Sequence, residues 1–194
     1  MSYDYRVVLG LLAILIGLVS YVPYFRDIFR GTTKPHPFSW FVWGLVTGIA
    51  FFAQVIAGGG IGTWATGVTS LACLAISVYG LLRGEKGITV FDWLCFLGAL
   101  GGIVFWKLTS NPLTAVVVVT VVDALGFFPT FRKAYLRPHE ETLLTYVLSI
   151  PKWSLGLFAL ASFNPTTVLF PAAILLMNTC FVGMVLFRRK QLHT

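Results

Sequence analysis

Charge is what this chain has least of. Asp, Glu, Lys and Arg make up 11% of its 194 residues, where a soluble domain carries about 25%. So little charge cannot cover a water-exposed surface, and with 57% of residues hydrophobic the chain suits a bilayer as its solvent. Cysteine is scarce as well. Cys73, Cys95 and Cys180 all fall within apolar runs, which excludes a disulfide framework and gives no metal-ligand spacing. His36, His139 and His193 lie unclustered in loops or at the tail, and a loop histidine such as His36 is expected to be solvated. No nucleophile elbow, no paired catalytic carboxylates and no His/Cys ligand cluster occur. The expectation is therefore not an enzyme, with no cofactor and no metal. AGGGIG (57–62) lacks the Gly-Lys-Ser/Thr ending of a phosphate loop and reads as a tight turn. PHPFSW (35–40) reads as a helix start with prolines in its first turn.

What is present is apolar length. Spans of about 20 apolar residues are the size a bilayer requires, and seven can be drawn: 5–25, 38–57, 62–82, 90–107, 113–131, 143–162 and 166–187. The first has no basic leader region and no small-residue cleavage site, so it reads as a retained helix. The net charge of +7 is an orientation signal. Arg26, Arg30, Lys34, Arg83, Lys86, Arg132, Lys133, Arg137, Arg188, Arg189 and Lys190, eleven of the fourteen basic residues, fall on one side if seven spans alternate. Positive charge collects on the cytoplasmic side, which places the N-terminus outside and the C-terminus inside. Anionic lipid headgroups are a secondary partner for that face; nucleic acid is not expected.

The chain also repeats itself. YVPYFRDIFR (21–30) has a partial echo in FFPTFRKAYLR (127–137). Pro23 and Pro129, Phe25 and Phe131, Arg26 and Arg132, Phe52 and Phe158, Ala53 and Ala159, and Arg83 and Arg189 are each 106 positions apart. One gapless offset lays spans one to three on spans five to seven, a pattern common in transporters. Copies facing the same way need an odd helix between them, and the fourth span fills that role. Asp92 and Trp93 mark one of its ends, Trp106 and Lys107 the other, and Gly98-Ala99-Leu100-Gly101-Gly102 give it a small-residue middle. The expected organisation is three helices over 1–86, a linker helix over 87–110, and three helices with a basic tail over 111–194.

This all-α, seven-helix 3+1+3 layout, with a proline near the basic end of the first and fifth helices, resembles the PQ-loop/SWEET transporter superfamily. That group includes sugar carriers, cystinosin-like amino-acid exporters, vitamin carriers and, more loosely, the KDEL receptor. Pro23-Tyr24 and Pro129-Thr130 stand where the superfamily has Pro-Gln, and Leu45 stands at the second-helix proline position. The resemblance implies a binding site between the two bundles. It also implies a carboxylate on the fifth helix in proton coupling, which Asp123 matches in helix and depth.

Periodicity picks out the faces that would see a ligand. Trp40, Trp43, Gly44, Thr47, Gly48 and Phe51 form one stripe, and Tyr146, Ser149, Lys152, Trp153 and Gly156 its repeat counterpart. Helix three carries Thr63, Thr66, Ser70, Cys73 and Ser77, and helix seven carries Asn178 near its centre. Asp123 stands mid-span, where a charge costs about 2.5–3.5 kcal/mol and is functional or paired. Lys152, at similar depth, is its natural partner. The pair reads as a buried ion pair, as a proton-coupling site, or as a handle for a zwitterion.

The expectation is a small-solute carrier working by alternating access, for an amino acid, then a vitamin, then a sugar. Trp43, Thr47, Ser149, Lys152, Trp153 and Asn178 would bind substrate, and Pro23, Pro129 and Pro151 would flex. The alternative is a non-transporting receptor or chaperone on the same fold. A monomer or homodimer is expected, and the compact loops and lack of targeting tails point to the inner membrane of a bacterium as its compartment.

Overall fold

The computed structural model describes residues 4–109 and 111–192, and among them every regular element is helical. Seven α-helices follow one another there: α1 (Tyr5–Phe29), α2 (Pro37–Ile56), α3 (Trp64–Arg83), α4 (Val90–Thr109), α5 (Pro112–Leu136), α6 (Leu143–Phe158) and α7 (Pro165–Leu192). His193 and, within α4, the side chains of Asp92, Cys95, Gly98, Ala99, Gly102 and Trp106 lie outside the described residues.

Local chemistry sets the boundaries. Side-chain oxygens of Asp4, Asn111 and Asn164 accept the first free N–H groups of α1, α5 and α7, as N-caps do. Pro37, Pro112 and Pro165 occupy first helical positions, where a missing N–H costs nothing. Gly31 and Gly58 follow α1 and α2 with φ of 74°, the left-handed turn that ends a helix at glycine.

Among the described residues, five helical stretches are long and apolar enough to cross a membrane: α1, α2, Gly60–Arg83, Leu113–Leu136 in α5, and α7. This is a membrane protein by that measure, and it is not the seven spans expected from the sequence. The clearest shortfall is α6. It has 16 residues, roughly 24 Å at 1.5 Å per residue, against a hydrocarbon core of about 30 Å. The expected span ran to 162, but the chain leaves the helix at Ala159 and turns through Ser162–Asn164.

The repeat has a spatial counterpart. α3 packs against both α1 and α2, and α7 against both α5 and α6. Between the two sets α1 meets α6 and α2 meets α5, while α4 lies on α5 and α2. Exchanging α1 for α5 and α2 for α6, as the offset of 106 prescribes, turns each cross-set contact into the other. The core divides accordingly. An aromatic cluster (Tyr21, Tyr24, Trp40, Trp43, Phe127, Tyr146, Phe181) lies toward the end that carries the basic loops. An aliphatic one (Val42, Val46, Val116, Val119, Val122, Ile174) runs between α2, α5 and α7.

One detail departs from the sequence reading. His36 is 2% exposed rather than solvated, in a connection where Thr33 and Pro35 are buried too. Pro23, Pro129 and Pro151 sit inside their helices, and Pro171, inside α7, joins them.

Candidate functional site

A cavity of about 50 Å³ lies where the two helix sets meet. Its lining comes from six helices: Tyr21; Trp40, Trp43 and Thr47; Thr69 and Cys73; Asp123 and Phe127; Thr145, Tyr146, Ser149, Lys152 and Trp153; Ile174 and Asn178. Trp43, Thr47, Asp123, Ser149, Lys152, Trp153 and Asn178, all picked from the sequence, are thus brought to one place. All three expected hinges lie outside this lining: Pro23 and Pro129 are six residues beyond Gly17 and Asp123 along their helices, and Pro151 is exposed on α6.

Asp123 and Lys152 share the cavity without touching as an ion pair. Asp123 is 1% exposed and neither carboxylate oxygen has a hydrogen-bond partner. Lys152 Nζ instead donates to Thr69 Oγ1 at 3.1 Å and lies over the rings of Trp153 (4.7 Å) and Tyr21 (5.4 Å). The direct pairing expected from similar depth therefore fails, and the repeat explains why. Lys152 belongs to the α1–α6 contact, where its stem passes Gly17: a Cβ there would meet Lys152 Cδ at 3.2 Å. Gly17 is the repeat mate of Asp123. Asp123 belongs to the equivalent α2–α5 contact, where Trp43 Nε1 donates to its backbone carbonyl at 3.4 Å. Equivalent interfaces lie on opposite sides of the cavity, so equal depth does not bring the two charges together.

The polar stripe of α3 serves mostly for packing. Ser70 Oγ donates to the Gly44 carbonyl (2.7 Å), Thr66 Oγ1 to Gln54 Oε1 (3.1 Å) and Ser77 Oγ to the Pro37 carbonyl (3.3 Å). Only Cys73 of the five expected positions reaches the cavity, joined by Thr69. Asn178 Nδ2 donates to the Ile174 carbonyl one turn back (2.8 Å). Among the described residues no three His, Cys, Asp or Glu side chains gather as a metal site requires.

At the basic end, buried polar groups tie the two helix sets together. Glu141 Oε2 pairs with Lys133 at 2.8 Å, with both side chains nearly fully buried. Glu141 Oε1 accepts from Tyr24 (3.0 Å) and Tyr146 (3.3 Å), and Tyr24 in turn accepts from Trp40 Nε1 (3.0 Å). Lys133 also donates to the Lys34 and Glu140 carbonyls. Thr142 bonds Thr33 (2.6 Å) and Asp27 (2.9 Å). Trp40 and Tyr146, repeat mates, thus line the cavity and reach Glu141, directly or through Tyr24. Outside the helices, Glu85 pairs with Arg137 at 2.8 Å. Burial pushes the Glu85 carboxyl up, but the Gly87 N–H and the Arg137 guanidinium outweigh it and hold the group below the ordinary carboxylate range.

The opposite end is joined without charge. Gly62 lies so close to α6 that a Cβ would come within 2.8 Å of the Gly156 carbonyl oxygen and 2.9 Å of the Ala159 carbonyl carbon. Ala161 N–H donates to the Gly59 carbonyl at 3.2 Å. The AGGGIG turn is therefore a contact surface as well as a turn.

Sequence reasoning missed the role of Glu141 and counted Lys133 only among the basic residues that orient the chain. A signal was there. Asp27 and Lys133 are repeat mates of opposite charge, four residues beyond Pro23 and Pro129, and each bonds a group in the other half of the chain. The chain matches no family model, no curated protein and no solved structure.

Proposed function

We propose that this chain is a multi-pass carrier for a small polar solute, working by alternating access, with the cavity as its binding site. In this reading the helices form a 3+1+3 arrangement of the PQ-loop/SWEET kind, with α4 between the two sets. The N-terminus is outside and the basic end is cytoplasmic, in a bacterial plasma membrane. Pro23, Pro129 and Pro151 are flexing points: an internal proline removes a backbone hydrogen bond, a defect tolerated in a membrane helix where neighbours repair it.

The observation that carries this reading is the position of the cavity between two ties that both cross from one helix set to the other. A carrier needs a site that opens to one side when one tie parts and to the other when the second parts. The tie at the basic end is polar and hydrogen-bonded, and Trp40 and Tyr146 connect it to the cavity wall. The tie at the glycine end is backbone packing. Both can part without unfolding a helix.

Cys73 supplies the test, because it lines the cavity and Cys95 and Cys180 can be replaced by serine. In right-side-out and inside-out vesicles, a membrane-impermeant methanethiosulfonate is expected to modify Cys73 from both faces. Modification from one face only overturns alternating access in favour of a receptor or chaperone whose cavity opens to one side.

A further inference from the structure

The two walls of the cavity pose a single chemical problem. Asp123 carries a carboxylate with no hydrogen-bond partner on either oxygen. Lys152 carries an ammonium whose hydrogen bonding is one threonine hydroxyl, supplemented by two ring faces, although an ammonium has three donors. Buried charges are normally paired, and these two do not pair with each other. A lone anion in the cavity would satisfy Lys152 and face Asp123 unfavourably. A lone cation would do the reverse. A neutral polyol would leave both charges without a counter-charge. A molecule bearing both an ammonium and a carboxylate satisfies both walls and leaves the net charge of the site unchanged.

We infer that the cavity takes a zwitterion of the α-amino-acid class, held with its ammonium toward Asp123 and its carboxylate toward Lys152 and Thr69. Aromatic groups reinforce the ammonium side. Trp43 is hydrogen-bonded to the Asp123 carbonyl, and Phe127 lies one turn further along α5 in the same lining. Ring faces attract ammonium groups. On the other wall, the absence of a side chain at Gly17 leaves room for the Lys152 stem. The volume of about 50 Å³ is space for a few waters, which favours the smallest side chains in this conformation. The inference rests on the cavity being the substrate site of the carrier proposed above, and it names that carrier's substrate class.

The test is binding to the purified full-length chain in detergent, read by calorimetry and by thermal shift. The probes are the small amino acids glycine, L-alanine and L-serine, then propionate, L-alanine methyl ester and glycerol. The amino acids are expected to bind at least about tenfold more tightly than either single-charge analogue, as loss of a charge-assisted contact requires. Asp123→Asn is expected to erase the advantage of L-alanine over propionate, and Lys152→Met its advantage over the methyl ester. Glycerol binding as tightly as the amino acids overturns the inference, as does failure of the whole amino-acid series to bind. The wild-type analogue series decides the question even where a variant fails to fold. Liposome flux separates this inference from the carrier reading. Amino acids that bind but never cross overturn the carrier and leave the zwitterion site standing. A neutral solute that crosses while amino acids do not bind overturns the zwitterion site alone.

Discussion

Two carboxylates are buried to nearly the same degree and have opposite surroundings. Glu141, 3% exposed, accepts from Lys133, Tyr24 and Tyr146. Asp123, 1% exposed and farther from the basic end, accepts from nothing. Burial alone therefore says little about what an acid does. The set of partners separates them: Glu141 belongs to a tie between helix sets, while Asp123 faces a cavity with an unmet demand. A buried polar atom without a partner is rare enough to require an explanation, and the zwitterion proposed above would supply one.

The comparison makes its largest prediction at Glu141. Glu141→Gln leaves Lys133 buried without its counter-charge, and a broken buried pair costs about 3–5 kcal/mol. Denaturation of the purified chain should show that loss. The double change Glu141→Leu with Lys133→Met should recover most of it, since an apolar pair of similar volume needs no counter-charge. A Glu141→Gln variant as stable as the parent would erase the contrast between the two acids.

The same chemical change at Asp123 should act in the opposite direction. Asp123→Asn breaks no hydrogen bond of the carboxyl group, so the melting temperature of the ligand-free chain should hold or rise, against the loss of about 1 kcal/mol that a broken buried hydrogen bond brings. A fall of that size would mean the carboxylate has a stabilising role that its contacts do not reveal.

The smallest effect belongs to Glu85, whose partner Arg137 is half exposed. Solvent screening limits such a pair to a few tenths of a kcal/mol. Its carboxyl is held below the ordinary range by the Gly87 N–H and Arg137 against the opposing push of burial. Its contribution is therefore complete above the unfolded value, near 4, and is lost as pH falls through the lower folded value. Melting curves of the parent and Glu85→Gln should differ slightly near neutral pH and converge in acid.

Much of the site was legible in the sequence because helix periodicity is legible. Trp43 and Thr47 on α2, and Ser149, Lys152 and Trp153 on α6, share faces by spacing alone, and the offset of 106 marks those two helices as equivalents. Asp123 and Asn178 announced themselves as polar groups in apolar runs. Length was less legible: α6 stops at Phe158, several residues before the apolar pattern does, because apolar residues continue through a turn as readily as through a helix. His36 and Lys133 were misjudged for a related reason. Hydropathy ends the apolar pattern before Lys133 and restarts it after His36, and only packing shows both side chains buried, His36 just ahead of α2 and Lys133 in the last turn of α5.

Composition and periodicity thus determined by themselves that the chain is helical, suited to a bilayer, built from two related halves, and provided with one buried acid and one buried base at similar depth. These follow from side-chain type and order along the chain, which a sequence states directly. The tertiary structure alone decided who partners whom. Asp123 and Lys152 do not pair because Lys152 belongs to the α1–α6 contact and Asp123 to the α2–α5 contact. Glu141 finds Lys133 and Tyr24 because helix ends distant in sequence meet at one end of the bundle. Partnership is a matter of distance in three dimensions, and a repeat in sequence fixes equivalence without fixing distance.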